Sequence, residues 1–474
     1  MRNVLQNILM NENNCRLKCT MSERIGSIEH KSGIQRDWCV RKDMVGMDGA
    51  VAVKPEESYD IRRYCHVNTN EEGDRFVGIK ADSHGAMVCF PVGYELPKTE
   101  SQIRADMRRL IQVLGEFTAK EDRLLAADSF GRPGKVEFPI QAYRHVIEYY
   151  FSAGGKYYVE TEQTYRRASS GKCDWGRAVR RQKPLVQSKD GVSSFIYTEL
   201  EVRALKPNDR KLITQINRYC VYEAFQRLGW LYVPYLPENP GGRPDLRTST
   251  AILQSKLAET NDDRKRELFR SMKAMLEFMD QDTADRDFFY GTEHFEYVWE
   301  KLVDRAFGEQ DKEQYFPRAR WLLDYGGHRQ KAPLMPDTIM IYGGRYYILD
   351  AKYYRYGRTG DPAHLPDVSS INKQITYGEY LEKHKNVNAD SLFNAFVMPY
   401  NRAENPFGLE TAVGNIGEAV GDWRHNQKYY ERIQGIVIDT RYLMHHYLGK
   451  PVKEKALLAE CIEMVIEKTR EKPL

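Results

Sequence analysis

Two short β-rich runs lie between residues 336 and 352, and a Gly-Gly pair joins them. If this pair forms a two-residue turn, counting outward along both strands places Asp337 directly opposite Asp350. Because side chains alternate along a strand, the two acids share one face of the hairpin, and Lys352 lies on that face as well. The sequence therefore predicts an antiparallel hairpin whose open end presents two carboxylates and a lysine.

The two facing aspartates predict a metal site. Like charges placed opposite each other repel, and a divalent cation held between Asp337 and Asp350 would convert this repulsion into affinity. Oxygen ligands suit Mg²⁺, so we expect magnesium, with manganese as a substitute. Lys352 beside the metal could orient or help to deprotonate a water molecule and stabilise charge on a phosphate.

The acid and lysine positions alone are a weak signal, and their surroundings strengthen it. Two other Pro-Asp pairs, which end at Asp245 and Asp367, are not followed by a hairpin that ends in acid-x-Lys. The matched strand lengths, the Gly-Gly turn and the shared face are separate features that occur together only around Asp337. We therefore interpret this hairpin as a catalytic site.

The hairpin resembles the active-site motif of the PD-(D/E)xK nuclease superfamily. Residues 348–354, Ile-Leu-Asp-Ala-Lys-Tyr-Tyr, resemble the LlaJI-type restriction endonucleases and, more distantly, McrC-type nuclease subunits. The resemblance implies a magnesium-dependent endonuclease that hydrolyses phosphodiester bonds of double-stranded DNA in defence against foreign DNA. It also implies a McrB-like GTPase as a candidate partner. A cognate DNA methyltransferase and a second copy of the chain are further candidate partners.

Residues on both sides of the hairpin extend the predicted site. An amphipathic helix is indicated by apolar residues at positions 295, 298, 299, 302, 303, 306 and 307. Glu296 lies near the edge of this apolar stripe and Glu300 lies further round, so we expect Glu296 to be the third acid and a metal ligand. A solvated helix-face charge is the alternative for either glutamate. Downstream, the resemblance places Gln374 near the site, although position 378, where the family has tyrosine, is glycine here.

A basic stretch at residues 165–183 predicts contacts with nucleic acid. It holds seven Lys or Arg residues against the single acid Asp174, with Tyr165 and Trp175 between them. Arginine forks suit phosphates, and aromatic rings suit stacking on bases. Its Gly-x-x-Asp-Trp sequence also resembles part of the LlaJI family, while a loop that binds nothing or binds a protein is the alternative. The predicted DNA-binding residues are Arg166, Arg167, Lys172, Trp175, Arg177, Arg180, Arg181 and Lys183.

Pattern and length predict an α/β chain of several domains. The C-terminal part is expected to be a restriction-endonuclease-like mixed sheet flanked by helices (an αβββαβ core), preceded by α+β and helical domains. In the α+β part, Arg104 and Arg108 on a predicted helix at 101–118 are expected to be solvated. The predicted division is a disordered extension (1–30), a small α+β domain (31–130), a mixed or helical domain with the basic stretch (131–285) and the nuclease domain (286–474).

Composition and missing motifs argue against a strongly basic protein, a disulfide or zinc framework and a P-loop nucleotide hydrolase. The net charge is only +4, with 71 basic and 67 acidic residues, so affinity for DNA must come from local patches. The eight cysteines form no Cys-x-x-Cys pair, and no phosphate loop of the Gly-x-x-x-x-Gly-Lys-Ser/Thr type occurs. A membrane span or signal sequence is not predicted, so we expect a cytoplasmic location.

Two alternative functions stay open. One is a DNA repair or recombination nuclease on the same core, and the other is a non-catalytic DNA-binding subunit.

Overall fold

The structure is a computed structural model, and the predicted extension at residues 1–30 lies outside its described part. It describes residues 61–82, 85–120, 137–189, 191–281, 288–324, 327–330, 333–449 and 451–470. The strands, in chain order, are β1 (Cys65–Val67), β2 (Val77–Asp82), β3 (Gly85–Phe90), β4 (Glu160–Ala168), β5 (Leu185–Lys189), β6 (Val192–Ile196), β7 (Leu200–Asn208), β8 (Phe288–Thr292), β9 (Arg320–Leu323), β10 (Gly327–Gln330), β11 (Thr338–Tyr342), β12 (Arg345–Ala351), β13 (Leu392–Tyr400), β14 (Val413–Val420) and β15 (Arg432–Asp439).

The α-helices alternate with these strands along much of the chain. They are α1 (Glu100–Phe117), α2 (Ile140–Ser152), α3 (Trp175–Arg181), α4 (Leu212–Leu228), α5 (Leu246–Glu259), α6 (Asp263–Gln281), α7 (Phe295–Phe307), α8 (Tyr356–Thr359), α9 (Val368–Lys385), α10 (Thr440–His446) and α11 (Pro451–Arg470). Helices combined with mixed sheets confirm the predicted α/β class.

The first sheet has four strands in the order β1-β3-β2-β8. Helix α1 lies on it, because its apolar stripe, which includes Met107 and Leu110, packs in the same core as Ile79 and Val88 of the sheet. β8 pairs antiparallel with β2 although more than 200 residues separate them along the chain. The predicted domain boundary at residue 286 thus falls between strands of one sheet.

Arg104 of α1 is buried and Arg108 is half-buried, so the expectation that both are solvated is wrong. Arg104 is only 4% exposed and donates hydrogen bonds to Glu100 and to the carbonyl oxygen of Trp230. Arg108 donates to the carbonyl oxygen of Leu231 at 3.0 Å. These bonds fasten α1 to a turn more than 120 residues away, which local periodicity cannot indicate.

Residues 160–208, which we call the basic arm, contain two antiparallel ribbons and a short helix. β4 and β7 pair antiparallel along their whole length, and β5 and β6 form a second antiparallel ribbon between them in sequence. Helix α3 begins at its N-cap Asp174, whose side chain accepts a hydrogen bond from the backbone N–H of Arg177. Several large apolar side chains of the arm, including Trp175 and Phe195, are exposed.

The central sheet carries the predicted catalytic hairpin. Its five strands lie in the order β11-β12-β13-β15-β14. β12, β13 and β15 run parallel, whereas β11 and β14 at the edges are antiparallel to their neighbours. Helix α9 covers one face, where Ile375 packs with Ile339 and Ile348. Helix α7 packs on the other face, where Trp299 shares a core with Leu349.

No helix among the described residues is long and apolar enough to cross a membrane.

Candidate active site

The hairpin forms with the predicted register. Gly343 and Gly344 have φ angles of 57° and 78°, which a two-residue turn of type I′ requires and which other residues rarely adopt. Ile339 therefore pairs with Ile348 across the two strands. Outward extension of this register places residue 337 opposite residue 350, as the sequence predicts.

The two aspartates meet at the open end of the hairpin. The Oδ2 atom of Asp337 accepts a hydrogen bond from the backbone N–H of Ala351 at 2.9 Å, which fixes this carboxyl group beside Asp350. Asp350 is 1% exposed. Burial, followed by the charge of Asp350 and a hydrogen bond between the two carboxyl groups, raises the pKa of Asp337 well above its usual range. Without a cation, this pair therefore retains a proton at pH values where exposed aspartates are ionised.

Lys352 lies on the same face and contacts Asp350. Its Nζ atom is 2.7 Å from Oδ2 of Asp350. Burial opposes the charged form of the amine, but the negative charges of Asp350 and then of Asp337 outweigh it and raise the pKa of Lys352. The backbone N–H of Lys352 donates to the carbonyl oxygen of Val397 at 2.8 Å, so the end of β12 is held against β13. The amine is thus charged and fixed beside the acids.

Glu300 of α7 is a third acid that interacts electrostatically with this pair. Burial, and then the charge of Asp350, raises the pKa of Glu300, and the charge of Glu300 contributes in turn to the raised pKa of Asp337. Glu296 lies one helical turn earlier, where its carboxylate accepts from the ring Nδ1 of His294 at 3.0 Å and remains partly exposed. The electrostatics therefore couple Glu300 to the aspartates, while Glu296 as the third acid stays a prediction.

Helix α9 brings a glutamine and a tyrosine beneath the same face. Gln374 is fully buried, and its Nε2 atom donates to the carbonyl oxygens of Ile348 and Ala395, each at 3.2 Å. The predicted site residue Gln374 therefore ties β12 to β13. One turn further along, Tyr377 has a buried hydroxyl group with no partner within the described chain. Burial, then the charges of Asp350 and Asp337, raises its pKa.

These donors fit a magnesium ion. No group of three or more His, Cys, Asp or Glu side chains arranged to hold a metal occurs in the described ranges. Magnesium, however, is usually bound through one or two carboxylates together with waters and substrate phosphates. Asp337 and Asp350 supply two carboxylates whose mutual repulsion a cation would relieve, and Glu300 stands close by.

Sequence reasoning missed two residues of this site, Tyr377 and Lys312, and ranked Glu300 behind Glu296. Tyr377 lies about one turn after Gln374, so the helical pattern indicated the helix but not this position along it. Lys312 donates its Nζ to the carbonyl oxygen of Asp337 at 2.5 Å and also pairs with Asp304. No local pattern marks Lys312, because its partners come from two other elements.

The basic arm displays most of the predicted DNA-binding residues. Four of them make side-chain contacts within the arm. Arg167 approaches Glu199 and Glu201 at 3.8 and 3.9 Å, and the guanidinium of Arg177 stacks on the ring of Tyr165 at 3.8 Å. Arg180 donates from Nε to the carbonyl oxygen of Gly176 at 3.0 Å, and the ring centroids of Trp175 and Tyr197 lie 6.2 Å apart. The six predicted residues other than Arg167 and Arg177 are exposed, and the charged ones among them have no acidic partner in the described part of the chain. These exposed residues are Arg166, Lys172, Trp175, Arg180, Arg181 and Lys183.

Comparison with known proteins identifies the family. No curated protein matches the chain. The family model for the LlaJI restriction endonuclease matches residues 76–414, which is more than two thirds of the chain. The matched range includes the basic arm, helix α7, the catalytic hairpin and helix α9. The chain therefore belongs to the LlaJI restriction endonuclease family.

Proposed function

We propose that this protein is a magnesium-dependent restriction endonuclease that hydrolyses phosphodiester bonds of double-stranded DNA in defence against foreign DNA. The observation that carries the proposal is the buried pair Asp337 and Asp350, with the ammonium group of Lys352 2.7 Å from Asp350. Two acids and one lysine held on one strand face suit hydrolysis of a phosphodiester, whose charge a cation and an ammonium group can both stabilise.

Each side chain has a distinct role in this proposal. Asp337 and Asp350 hold the cation, and Glu300 completes the acidic group in place of Glu296. Lys352 donates a hydrogen bond to the attacking water or to a non-bridging oxygen of the scissile phosphate, and its ion pair with Asp350 keeps the amine in position. When bound, magnesium would lower the pKa of water and stabilise the charge that develops on the phosphate and the leaving oxygen.

The surrounding residues keep this geometry rigid. Gln374 joins β12 to β13 through two backbone carbonyls. Trp299 of α7 donates its indole N–H to the carbonyl oxygen of Val397 at 3.1 Å, the same oxygen that accepts from Lys352. The end of β12 that carries Asp350 and Lys352 is therefore fixed against β13, as a preorganised site requires.

The proposed substrate is duplex DNA, and the basic arm supports this choice. Its exposed lysines and arginines can neutralise phosphates without giving up ion pairs, and its exposed Trp175 offers an aromatic surface. The formal charge of the chain is only +4, so binding depends on this local concentration of charge. We further propose that the protein acts in the cytoplasm, with a McrB-like GTPase, a methyltransferase or a second copy as candidate partners.

The decisive experiment measures cleavage of intact duplex plasmid with and without Mg²⁺. We expect cutting only with the metal, and loss of at least a thousandfold in rate in Asp350→Asn and in Lys352→Ala, while fluorescence anisotropy shows DNA affinity within about threefold of the parent. Asp245→Asn is the matched control, because Asp245 also follows proline but caps helix α5. This control should cut like the parent.

Other outcomes separate the alternative functions. Cutting of branched junctions but not of intact duplex would identify a repair nuclease on the same core. DNA binding without metal-dependent cutting, even with partner proteins added, would identify a non-catalytic subunit. Either result would refute the proposed restriction activity of the chain.

A further inference from the structure

A small antiparallel ribbon leads directly into the catalytic hairpin. β9 pairs with β10, and the backbone N–H of Leu334 donates to the carbonyl oxygen of Pro317 at 2.8 Å, which closes the ribbon at its base. Asp337 follows Leu334 after only two intervening residues. We call residues 317–324, the described outward strand with its flanks, the wedge strand. The base of the ribbon therefore lies a few residues along the chain from Asp337.

The base of the ribbon is anchored on the hairpin. Phe316 is buried, and the ring of Tyr315 packs against that of Tyr346 on β12 at 5.8 Å between centroids. Lys312, a few residues earlier, donates to the carbonyl oxygen of Asp337. The chain that enters the ribbon is thus fixed to the catalytic hairpin by two contacts.

The wedge strand exposes an unusual amount of apolar surface. Trp321 and Leu322 are 57% and 63% exposed, and Leu323 is exposed as well. Because consecutive side chains of a strand point to opposite faces, both faces of the strand are open. A two-stranded ribbon gains little stability from exposing such side chains, and exposed apolar clusters usually mark a binding surface.

The charge around this apolar cluster points to a polyanion. Arg318 and Arg320 are exposed and lie on the face of the strand opposite to Trp321. Asp324 is the single acid between residues 318 and 330. Exposed arginines on one face of the strand suit phosphates, and an exposed indole on the other face suits a base.

We propose that the wedge strand enters a groove of duplex DNA beside the scissile bond and that Trp321 unstacks the base step it contacts. The proposal rests on the proposed function for its substrate. Apolar and aromatic side chains inserted between base steps kink DNA in many architectural proteins, and a two-stranded ribbon is narrow enough to enter a groove. Distortion at this point would present the backbone phosphate to Asp337 and Asp350.

The test compares Trp321→Ala with Trp423→Ala, which removes a tryptophan that is 47% exposed elsewhere on the molecule. Permanganate reacts with unstacked thymines, and its pattern is recorded on duplex fragments that the parent binds, without added metal. We expect the parent and Trp423→Ala to share a local reactive thymine, and Trp321→Ala to lose it. Cleavage with Mg²⁺ should fall at least tenfold in Trp321→Ala and stay unchanged in the control.

The outcomes distinguish failure of the wedge from failure of the proposed function. Trp321-dependent reactivity in a parent that never cuts would support the wedge and refute the nuclease proposal. Parent-like reactivity and cutting in Trp321→Ala would overturn the wedge and leave the nuclease proposal intact. A change of oligomeric state in Trp321→Ala during sedimentation, with the permanganate pattern unchanged, would assign the surface to a second copy and would also overturn it.

Discussion

The catalytic hairpin holds its charged groups buried and in contact, whereas the basic arm holds its charged groups exposed and mostly apart. The pKa of an aspartate is raised in the hairpin and lowered in the arm. In the hairpin, burial and the neighbouring acid raise the pKa of Asp337. In the arm, burial opposes ionisation of Asp174, but hydrogen bonds from the Arg177 backbone and from Arg203 outweigh it and lower its pKa.

This difference separates two tasks that one nuclease must combine. A site that changes covalent bonds needs groups whose charges are strong because water is excluded. A surface that finds and holds DNA needs cations that water reaches, since it acts by releasing counterions. Changes in the arm should therefore alter affinity and its salt dependence, and changes in the hairpin should alter the chemical step.

The largest effect on affinity should come from the arm. We expect the combined change of Arg166, Arg180, Arg181 and Lys183 to Ala to flatten the slope of log affinity against log salt by about 3 to 4, because each lost phosphate contact contributes about 0.9. At low salt this corresponds to a loss of roughly a hundredfold or more in affinity. Anisotropy titrations between 50 and 200 mM salt measure it.

Single substitutions provide the control for the arm. Arg167→Ala should have a smaller effect than Arg181→Ala, because Arg167 is near Glu199 and Glu201 whereas Arg181 has no acidic neighbour in the described chain. An unchanged salt slope in the fourfold variant would contradict the assignment of the arm to DNA.

The next largest effect should separate the two glutamates of α7. We expect Glu300→Gln to slow cleavage by about tenfold to a hundredfold, because Glu300 shares the electrostatic field of Asp350. Glu296→Gln should stay within about twofold of the parent, since its carboxylate bonds to His294. Single-turnover cleavage rates at saturating enzyme measure both, and a larger loss in Glu296→Gln would reverse the assignment.

The smallest effect concerns stability in the absence of metal. An acid whose pKa is raised by folding keeps a proton that the unfolded chain releases, so stability falls as pH rises from about 4 through the raised pKa. Asp337→Asn removes this penalty and can keep the hydrogen bond from Ala351. We expect the variant to be more stable than the parent at pH 9 by roughly 1–2 kcal/mol, although it should not cut DNA.

Thermal unfolding in EDTA at pH 5 and pH 9 measures this difference. The parent should lose more stability than Asp337→Asn between these values. Asp174→Asn is the control from the arm: the pKa of Asp174 is lowered, so its contribution is lost only on acidification and the variant should keep the parent's dependence above pH 5. Equal slopes for the parent and Asp337→Asn would contradict burial of an acid pair.

The sequence predicted the hairpin well because its determinants are local. Two glycines define the turn, and strand alternation then decides which residues face each other, so the positions of Asp337, Asp350 and Lys352 follow by counting. The amphipathic stripe of α7 is confirmed for the same reason, since all seven apolar positions are buried.

The errors arise where distant parts of the chain decide burial. A helical wheel gives the angle of Glu296 and Glu300 around α7 but not which turn lies level with the end of β12. Arg104 donates a hydrogen bond to the carbonyl oxygen of Trp230, which lies 126 residues away. The sequence of the wedge strand itself has no periodic signal that would mark it as a strand. Such contacts depend on tertiary packing, which overrides local preference.

The most direct test is an anomalous difference map from crystals grown with Mn²⁺ and a duplex oligonucleotide. The account predicts a manganese peak bridged by the carboxylates of Asp337 and Asp350, with the amine of Lys352 near a phosphate oxygen and no such peak in Asp350→Asn. A map without density between these aspartates, or with manganese held by other residues, would contradict it.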